Sequence, residues 1–174
     1  MDDHNPAHHI DLLAYFITFR CYGTWLPGDE RGWVNRQHNV RGTPMLPPRP
    51  ALEDRKRGAL RHPPARLTDA MRVAVEDSIR ETCAYRDWEL AAVNARTNHV
   101  HMVVSADGMA PEEVMRQVKA WATRRSREAG LWEPRRPLWS DHGSTVYLWS
   151  EAQVQAAVWY VLDGQDKHPG DSAS

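Results

Sequence analysis

The stretch Asn98-His99-Val100-His101-Met102-Val103-Val104 is the most informative part of the sequence for predicting the fold. It places two histidines on either side of one β-branched residue and continues as an apolar run. A β-rich run over 88–95 comes just before it, so the two runs are predicted to pair as a hairpin. Because residues i and i+2 of a strand point to the same face, His99 and His101 should project side by side while their neighbours enter a core.

Two imidazoles spaced in this way have a definite chemical use. At the rise of a strand their Cα atoms lie roughly 7 Å apart, and the two rings can converge on one metal ion or one phosphate. For a pair of histidines taken alone, a solvent-facing arrangement on a half-exposed strand is the commoner outcome. The rest of the chain has to decide between these two interpretations.

The elements around the pair follow a recognisable order. Apolar periodicity, a capping Thr68, a Pro111 at a first helical position and a capping box at Ser150 mark their limits. The predicted elements are a strand over 12–20, a helix over 68–86, strands over 88–95 and 99–105, a helix over 111–129, one or two short strands around Asp141-His142-Gly143, and a helix over 151–163. The first six elements read β-α-β-β-α-β, which predicts an α+β, ferredoxin-like antiparallel sheet with both main helices on one face. The histidine strand should be central in it.

Length and composition indicate one domain over residues 1–174. The chain has 174 residues, of which 41% are hydrophobic and 26% charged, as in ordinary globular proteins. Residues 40–66 form a Pro/Arg-rich insertion that we expect to be partly extended, and the tails 1–9 and 166–174 are expected to be disordered. No apolar run approaches the length of a membrane span, and the N-terminus is unlike a signal peptide. The two cysteines have the spacing of neither a disulfide framework nor a metal site. These features predict a cytoplasmic protein.

The distribution of charge says more than its sum. The formal net charge of −1 argues against a generally basic nucleic-acid binder. Basic residues nevertheless cluster in 41–66 and 111–136, so one surface can still be basic. Candidate phosphate-binding residues on the second main helix are Arg116, Lys119, Arg124 and Arg125. A solvated helix face explains these four equally well.

The last helix carries a second candidate functional residue. Its apolar stripe runs through Val154, Val158 and Val161, and Tyr160 falls on the flank of that stripe. A tyrosine there can present its hydroxyl to a cleft, where a polarised phosphate or a nearby base would make it nucleophilic. A rim aromatic with its hydroxyl in water is the alternative, and Tyr147 is a weaker candidate because it is placed on a strand.

Taken together, these residues resemble the HUH single-tyrosine (IS200-like) transposases, and within them the REP-associated tyrosine transposases. The resemblance covers about residues 12–165. It is carried by the stretches Thr24-Trp25-Leu26-Pro27-Gly28-Asp29, Asn98-His99-Val100-His101, His142-Gly143-Ser144-Thr145-Val146-Tyr147-Leu148 and Tyr160-Val161-Leu162.

The resemblance implies a transposase that nicks and rejoins single-stranded DNA, acting at hairpin (REP-like) sites. In such enzymes His99 and His101 would ligate one Mg²⁺ or Mn²⁺ ion, and Tyr160 would form a 5′-phosphotyrosine. It further implies single-stranded or hairpin DNA as partner, association with the nucleoid and action as a homodimer.

This sequence departs from the family's pattern at the position of the third metal ligand. Family members carry Gln or Asn four residues after the tyrosine, where this chain has Gly164. Gln165 is the preferred substitute on chemical identity, Asp163 is its rival, and a water molecule is a third possibility.

The departure at Gly164 keeps two other functions open. One is a catalytically silent protein of the same fold that binds hairpin DNA. The other is a different metalloenzyme or phosphodiesterase that uses the histidine pair without a covalent tyrosine.

Overall fold

The computed structural model describes residues 11–34 and 44–164, and it shows one four-stranded antiparallel sheet with helices on both sides. The strand order is β2-β3-β1-β4. The elements in chain order are β1 (Ala14–Cys21), α1 (Pro50–Gly58), α2 (Asp69–Tyr85), β2 (Glu89–Ala95), β3 (His99–Ser105), α3 (Pro111–Glu128), β4 (Trp139–Leu148) and α4 (Glu151–Leu162). The predicted ferredoxin-like α+β fold is confirmed, and the histidine strand β3 is central, between β2 and β1.

One face of the sheet carries the main core. Ile17 and Phe19 of β1 and Val100 and Met102 of β3 are fully buried on this face. Helices α2 and α3 cover it, as the alternation in β3 predicts. The histidines between those apolar positions therefore point to the opposite face.

Both main helices begin where the sequence predicts. The Thr68 hydroxyl accepts a hydrogen bond from the amide of Met71 and caps α2. Pro111 occupies the first turn of α3, with two glutamates behind it at the positive end of the helix dipole. The apolar stripes of the two helices then pack on each other and on the sheet.

The last helix, α4, covers part of the other face. Its Val161 is fully buried against Val103 of β3, Ala92 of β2 and Leu148 of β4. This second, smaller core sets the helix across the sheet close to the histidine pair. Ala14 and Phe16 of β1 belong to the same cluster, so the position of α4 depends on apolar residues of all four strands.

Strand β4 continues through the residues around which one or two short strands were predicted, although its register with β1 shifts between Phe19 and Cys21. Asp141-His142-Gly143 lie within one ten-residue strand, so His142 is not a turn residue. A β-carbon at Gly143 would overlap Met115 Sδ and the carbonyl oxygen of Thr18, so only glycine lets the strand pass this close. The sequence signal of a turn was in fact a site of close packing.

The insertion contains a helix that the sequence analysis did not predict. Helix α1 occupies Pro50–Gly58, within the segment expected to be partly extended. Leu46 forms an isolated bridge with Trp33, which ties the insertion to the loop after β1. Residues 1–9, 35–43 and 166–174 lie outside the described residues, so the predictions for the tails stay predictions. Among the described helices none is long and apolar enough to cross a membrane.

Candidate active site

The histidine pair lies on the α4 face of the sheet and is buried. Each residue exposes only 7% of its surface. The ring centroids are 4.6 Å apart, with the ring planes at 75°. The solvent-facing alternative is therefore wrong. Two buried polar rings need hydrogen-bond partners on the same face of the sheet.

Those partners fix the orientation of both rings. His99 Nδ1 lies 2.5 Å from the side-chain oxygen Oδ1 of Asn98, and His101 Nδ1 lies 2.7 Å from Thr18 Oγ1. An amide oxygen only accepts, so Nδ1 of His99 donates and its lone pair is on Nε2. When Thr18 Oγ1 accepts in the same way, His101 also presents the lone pair of Nε2. This is the arrangement that metal-binding histidines show.

The surroundings of His101 keep it neutral. Burial, His99 and the nearby charges of Arg20 and Arg96 together lower its pKa to about 3. Burial has the largest effect because it removes water from the charged form. A neutral imidazole is the form that ligates a metal.

The fold brings Tyr160 to this pair. The Tyr160 ring centroid is 5.5 Å from that of His101, with the planes at 77°. Phe16 of β1 lies between sheet and helix and contacts both rings, stacked on His101 at 5.5 Å and edge-on to Tyr160 at 5.8 Å. The half-buried Tyr160 thus has its ring packed against the histidine site, as expected for a residue on the flank of the α4 stripe.

A hydrogen bond from β2 holds the end of α4 beside the tyrosine. The Asn94 side-chain amide donates to the carbonyl of Val161 over 2.9 Å. Val161 follows Tyr160 directly and lies in the last turn, where carbonyls lack an amide partner within the helix. Asn94 is also the register partner of His101. One side chain therefore connects the strands of the histidine site to the helix of the tyrosine.

The described residues place two candidate metal ligands, His99 and His101, side by side. No group of three His, Cys, Asp or Glu side chains that could hold a metal occurs within 11–34 and 44–164, and Asp163 is exposed. A β-carbon at Gly164 would lie 3.0 Å from the ring of the exposed Trp159 and 3.3 Å from that of Tyr160, a tight contact that a small shift of the Trp159 ring would relieve. Gln165 lies outside the described residues. Two adjacent imidazoles, each held by a hydrogen bond at Nδ1, fit a divalent ion as part of its ligand set.

The predicted phosphate-binding residues lie on α3, on the opposite side of the sheet. Arg116 pairs with a glutamate of its own helix at 2.6 Å, Arg124 does so at 2.7 Å, and Arg125 pairs with a glutamate of α2 at 2.8 Å. The Lys119 amino group donates to the carbonyl of Ser140 at 2.8 Å, and burial lowers its pKa to about 8. The structure does not bring these four residues to the histidine pair, and a DNA contact on α3 stays a prediction.

Some residues of the site escaped the sequence analysis. Thr18 and Phe16 support His101, Arg20 is the register partner of His99, and Asn94 holds α4. A signal existed for β1, because Thr18 and Arg20 interrupt an otherwise apolar strand at alternate positions. Tyr147, the weaker candidate nucleophile, pairs with Tyr15 of the main core and so faces away from the histidines.

Comparison with known proteins adds a family match to this geometry. Residues 62–156 match the family model described as transposase, IS200-like, which is more than half of the 174 residues. The matched segment includes the histidine strand and stops four residues before Tyr160. A solved structure of a candidate transposase from Deinococcus radiodurans R1 is 15% identical, with a TM-score of 0.46, over 86% of this chain and 90% of that one. No curated protein is similar enough in sequence to match the chain.

Proposed function

This chain belongs to the IS200-like transposase family, and on that premise we propose that it is a metal-dependent endonuclease and strand transferase. Its substrate is single-stranded DNA at a hairpin, and its intermediate is a 5′-phosphotyrosine on Tyr160. Membership of the family implies that the protein binds DNA. The observation that carries the proposal is the contact of the Tyr160 ring with a buried, hydrogen-bonded histidine pair, at 5.5 Å from His101.

The reaction is a pair of phosphoryl transfers that conserve bonds. The Tyr160 oxygen attacks the scissile phosphorus and forms a new P–O bond, while the bond to the 3′ oxygen breaks. The tyrosine gives up its hydroxyl proton to solvent, and the departing oxygen takes up a proton as a 3′-OH. A second 3′-OH then displaces the tyrosine by the reverse steps, so the strand is rejoined without an energy source.

His99 and His101 would hold the Mg²⁺ or Mn²⁺ ion. When bound, such an ion polarises the phosphate as a Lewis acid and stabilises the charge that develops on its oxygens. Asn98 and Thr18 keep the two imidazoles in the orientation this requires. The positive charge of Arg20 and Arg96, which reaches His101, favours a phosphate at this site.

A silent hairpin-binding protein is the second candidate function. The observation that favours it is Gly164, which supplies no side-chain ligand at the position where family members carry Gln or Asn. Such a protein would bind the same DNA without cutting it.

A single assay distinguishes the two functions. The protein is incubated with a library of hairpin oligonucleotides and Mn²⁺, and covalent adducts are separated on a denaturing gel. We expect an adduct that disappears in Tyr160→Phe and persists in the matched variant Tyr147→Phe, which loses a hydroxyl on the opposite face. An adduct that survives Tyr160→Phe contradicts the nucleophile. Binding without any nicking supports the silent protein, and nicking without an adduct indicates a metal-dependent phosphodiesterase.

The role of the histidines and the assembly state follow from the same proposal. His99→Ala should abolish cleavage while much of the DNA binding remains, because on this proposal most of the affinity comes from basic side chains other than the two histidines. Undiminished cleavage would refute a metal-binding role. We also propose that the active form is a homodimer, for which sedimentation of the protein with a bound hairpin should give two chains per complex.

A further inference from the structure

Two arginines flank His99 in the sheet. Arg20 of β1 is the register partner of His99, and on the other side the amide of Arg96 donates to the His99 carbonyl over 2.8 Å. Directly opposite residues of an antiparallel pair share a face, with their β-carbons about 4.5–5.5 Å apart. The Arg20 side chain therefore starts immediately beside the histidine pair and on the same face of the sheet.

Arg20 is the third residue in a series along β1 that faces the histidine site. Two residues before it, Thr18 Oγ1 lies 2.7 Å from Nδ1 of His101. Two residues earlier still, Phe16 stacks on the ring of His101. Since both other members of the series contact the site, the half-buried Arg20 is expected to serve the same site.

The guanidinium of Arg20 is held in place by an aromatic ring. It lies over the Trp25 ring, 3.6 Å from the ring centroid, which is a cation–π contact. Trp25 is fixed in turn, because its Nε1 donates to the carbonyl of Gly32 over 2.8 Å. This support reduces the side-chain entropy that Arg20 would lose on binding an anion.

The charge of Arg20 is close enough to act on the histidine pair. Burial and His99 have the largest effects in lowering the pKa of His101, and the charge of Arg20 comes next, ahead of that of Arg96. A guanidinium this close to two imidazoles also opposes the binding of a metal cation there. A phosphate that lies between the two positive charges removes this repulsion. The arrangement therefore suits a site that binds a metal ion and a phosphate together.

We infer that Arg20 is a catalytic residue, which donates hydrogen bonds to a non-bridging oxygen of the scissile phosphate. During attack by the Tyr160 oxygen the non-bridging oxygens carry the negative charge of the transferring group, and a guanidinium already in place stabilises that charge without rearranging. Arg20 stays protonated throughout, so the only bonds to phosphorus that form and break are those to the tyrosine oxygen and the 3′ oxygen. The inference rests on the proposed function, because it takes the phosphate beside the histidines to be the one that is cut.

A binding experiment tests this contact without requiring cleavage. Tyr160→Phe protein, with and without Arg20→Met, is titrated in Mn²⁺ with hairpins in which one flank phosphate at a time is replaced by a neutral methylphosphonate. With Arg20 present, we expect one position at which the replacement weakens binding about tenfold, as for the loss of a hydrogen bond between charged groups. With Arg20→Met, whose unbranched side chain still covers Trp25, the loss at that position should be about twofold or less. Arg20→Lys keeps the charge without the paired donors of arginine, so its loss should lie between the two.

Rate measurements with Tyr160 intact separate catalysis from binding. Arg20→Met should slow adduct formation at saturating hairpin about 100-fold or more, because this is the effect of losing one fixed donor to a charged transition state. Its affinity for the unmodified hairpin should fall only about tenfold or less. Arg86→Met is the matched control and should leave the rate unchanged, since it removes a guanidinium 5.6 Å from the Tyr85 ring at the end of α2, on the opposite side of the sheet.

Two results would overturn the inference. One is the absence of any flank position at which methylphosphonate weakens binding more with Arg20 than with Arg20→Met. The other is a rate of adduct formation in Arg20→Met within about threefold of that in Arg86→Met. If thermal unfolding shows that Arg20→Met does not fold, Arg20→Lys takes its place in both comparisons. An unchanged chain that forms no adduct contradicts the proposed function instead, and the binding experiment still decides whether Arg20 contacts a phosphate.

Discussion

Replacing Asn94 by aspartate should loosen the end of α4 and with it the position of Tyr160. The substitution keeps the shape of the side chain but replaces the amide that donates to the Val161 carbonyl over 2.9 Å. Losing the hydrogen bond costs about 0.5–1.5 kcal/mol. A carboxylate at the negative end of a helix dipole adds about 0.3–1 kcal/mol. Together they predict a free energy of unfolding lower by about 1–2.5 kcal/mol at pH 7.

The assay is thermal and urea unfolding of Asn94→Asp, Asn94→Ala and the unchanged chain. A loss of this size should lower the Tm by about 2–10 °C for a chain of this length, with aspartate worse than alanine. Below about pH 4 an aspartic acid is protonated and its hydroxyl can donate to the carbonyl again. The difference between Asn94→Asp and the unchanged chain should therefore shrink at low pH.

The same variants report on catalysis. If Asn94 positions the nucleophile, adduct formation on the hairpin substrate should slow for both variants while DNA affinity stays within about twofold, because the Asn94 side chain is bonded to the backbone of α4. Asn94→Asp as stable as the unchanged chain, with the same rate of adduct formation, would refute the reasoning. A loss of DNA affinity as large as the loss of rate would show that Asn94 acts in binding and not in positioning.

Three further perturbations test other parts of the structure. Thr18→Val removes the hydrogen bond to His101 and should raise the Mn²⁺ concentration needed for half-maximal nicking about 10–100-fold; an unchanged metal titration would contradict this support. Gly143→Ala should lower the free energy of unfolding in urea by more than about 2 kcal/mol. Adding Met115→Ala to that variant should restore only part of the loss, since the Thr18 carbonyl oxygen still overlaps the new β-carbon. Burial opposes ionisation of Asp29, but its hydrogen bonds from Arg31 outweigh burial and lower its pKa. The lowered pKa adds to the free energy of unfolding above about pH 3.8, and this contribution is lost as the pH falls further. Asp29→Asn should flatten that part of the pH–stability curve, and an unaltered curve would exclude the contribution.

Much of the fold follows from local patterns. Alternation in β1 and β3, the cap at Thr68 and the proline at the start of α3 are short-range signals, and each element they mark is present within about two residues of its predicted limits. The sequence missed α1, because Pro50–Gly58 buries no residue and so has no apolar stripe. It also took a close packing contact at Gly143 for a turn, since glycine marks both.

Some features of the candidate site could likewise be predicted from local patterns, and others depend on tertiary contacts. The shared strand face of His99 and His101 and the place of Tyr160 on the flank of a helix could be predicted from the sequence, because both follow from the period of a single element. The tertiary fold brings the histidine pair and Tyr160 together, through the packing of Val161 on the sheet and the hydrogen bond from Asn94. It likewise decided that Thr18 supports His101 and that the basic face of α3 lies on the other side of the sheet, since strand register and layer order arise from contacts between distant segments.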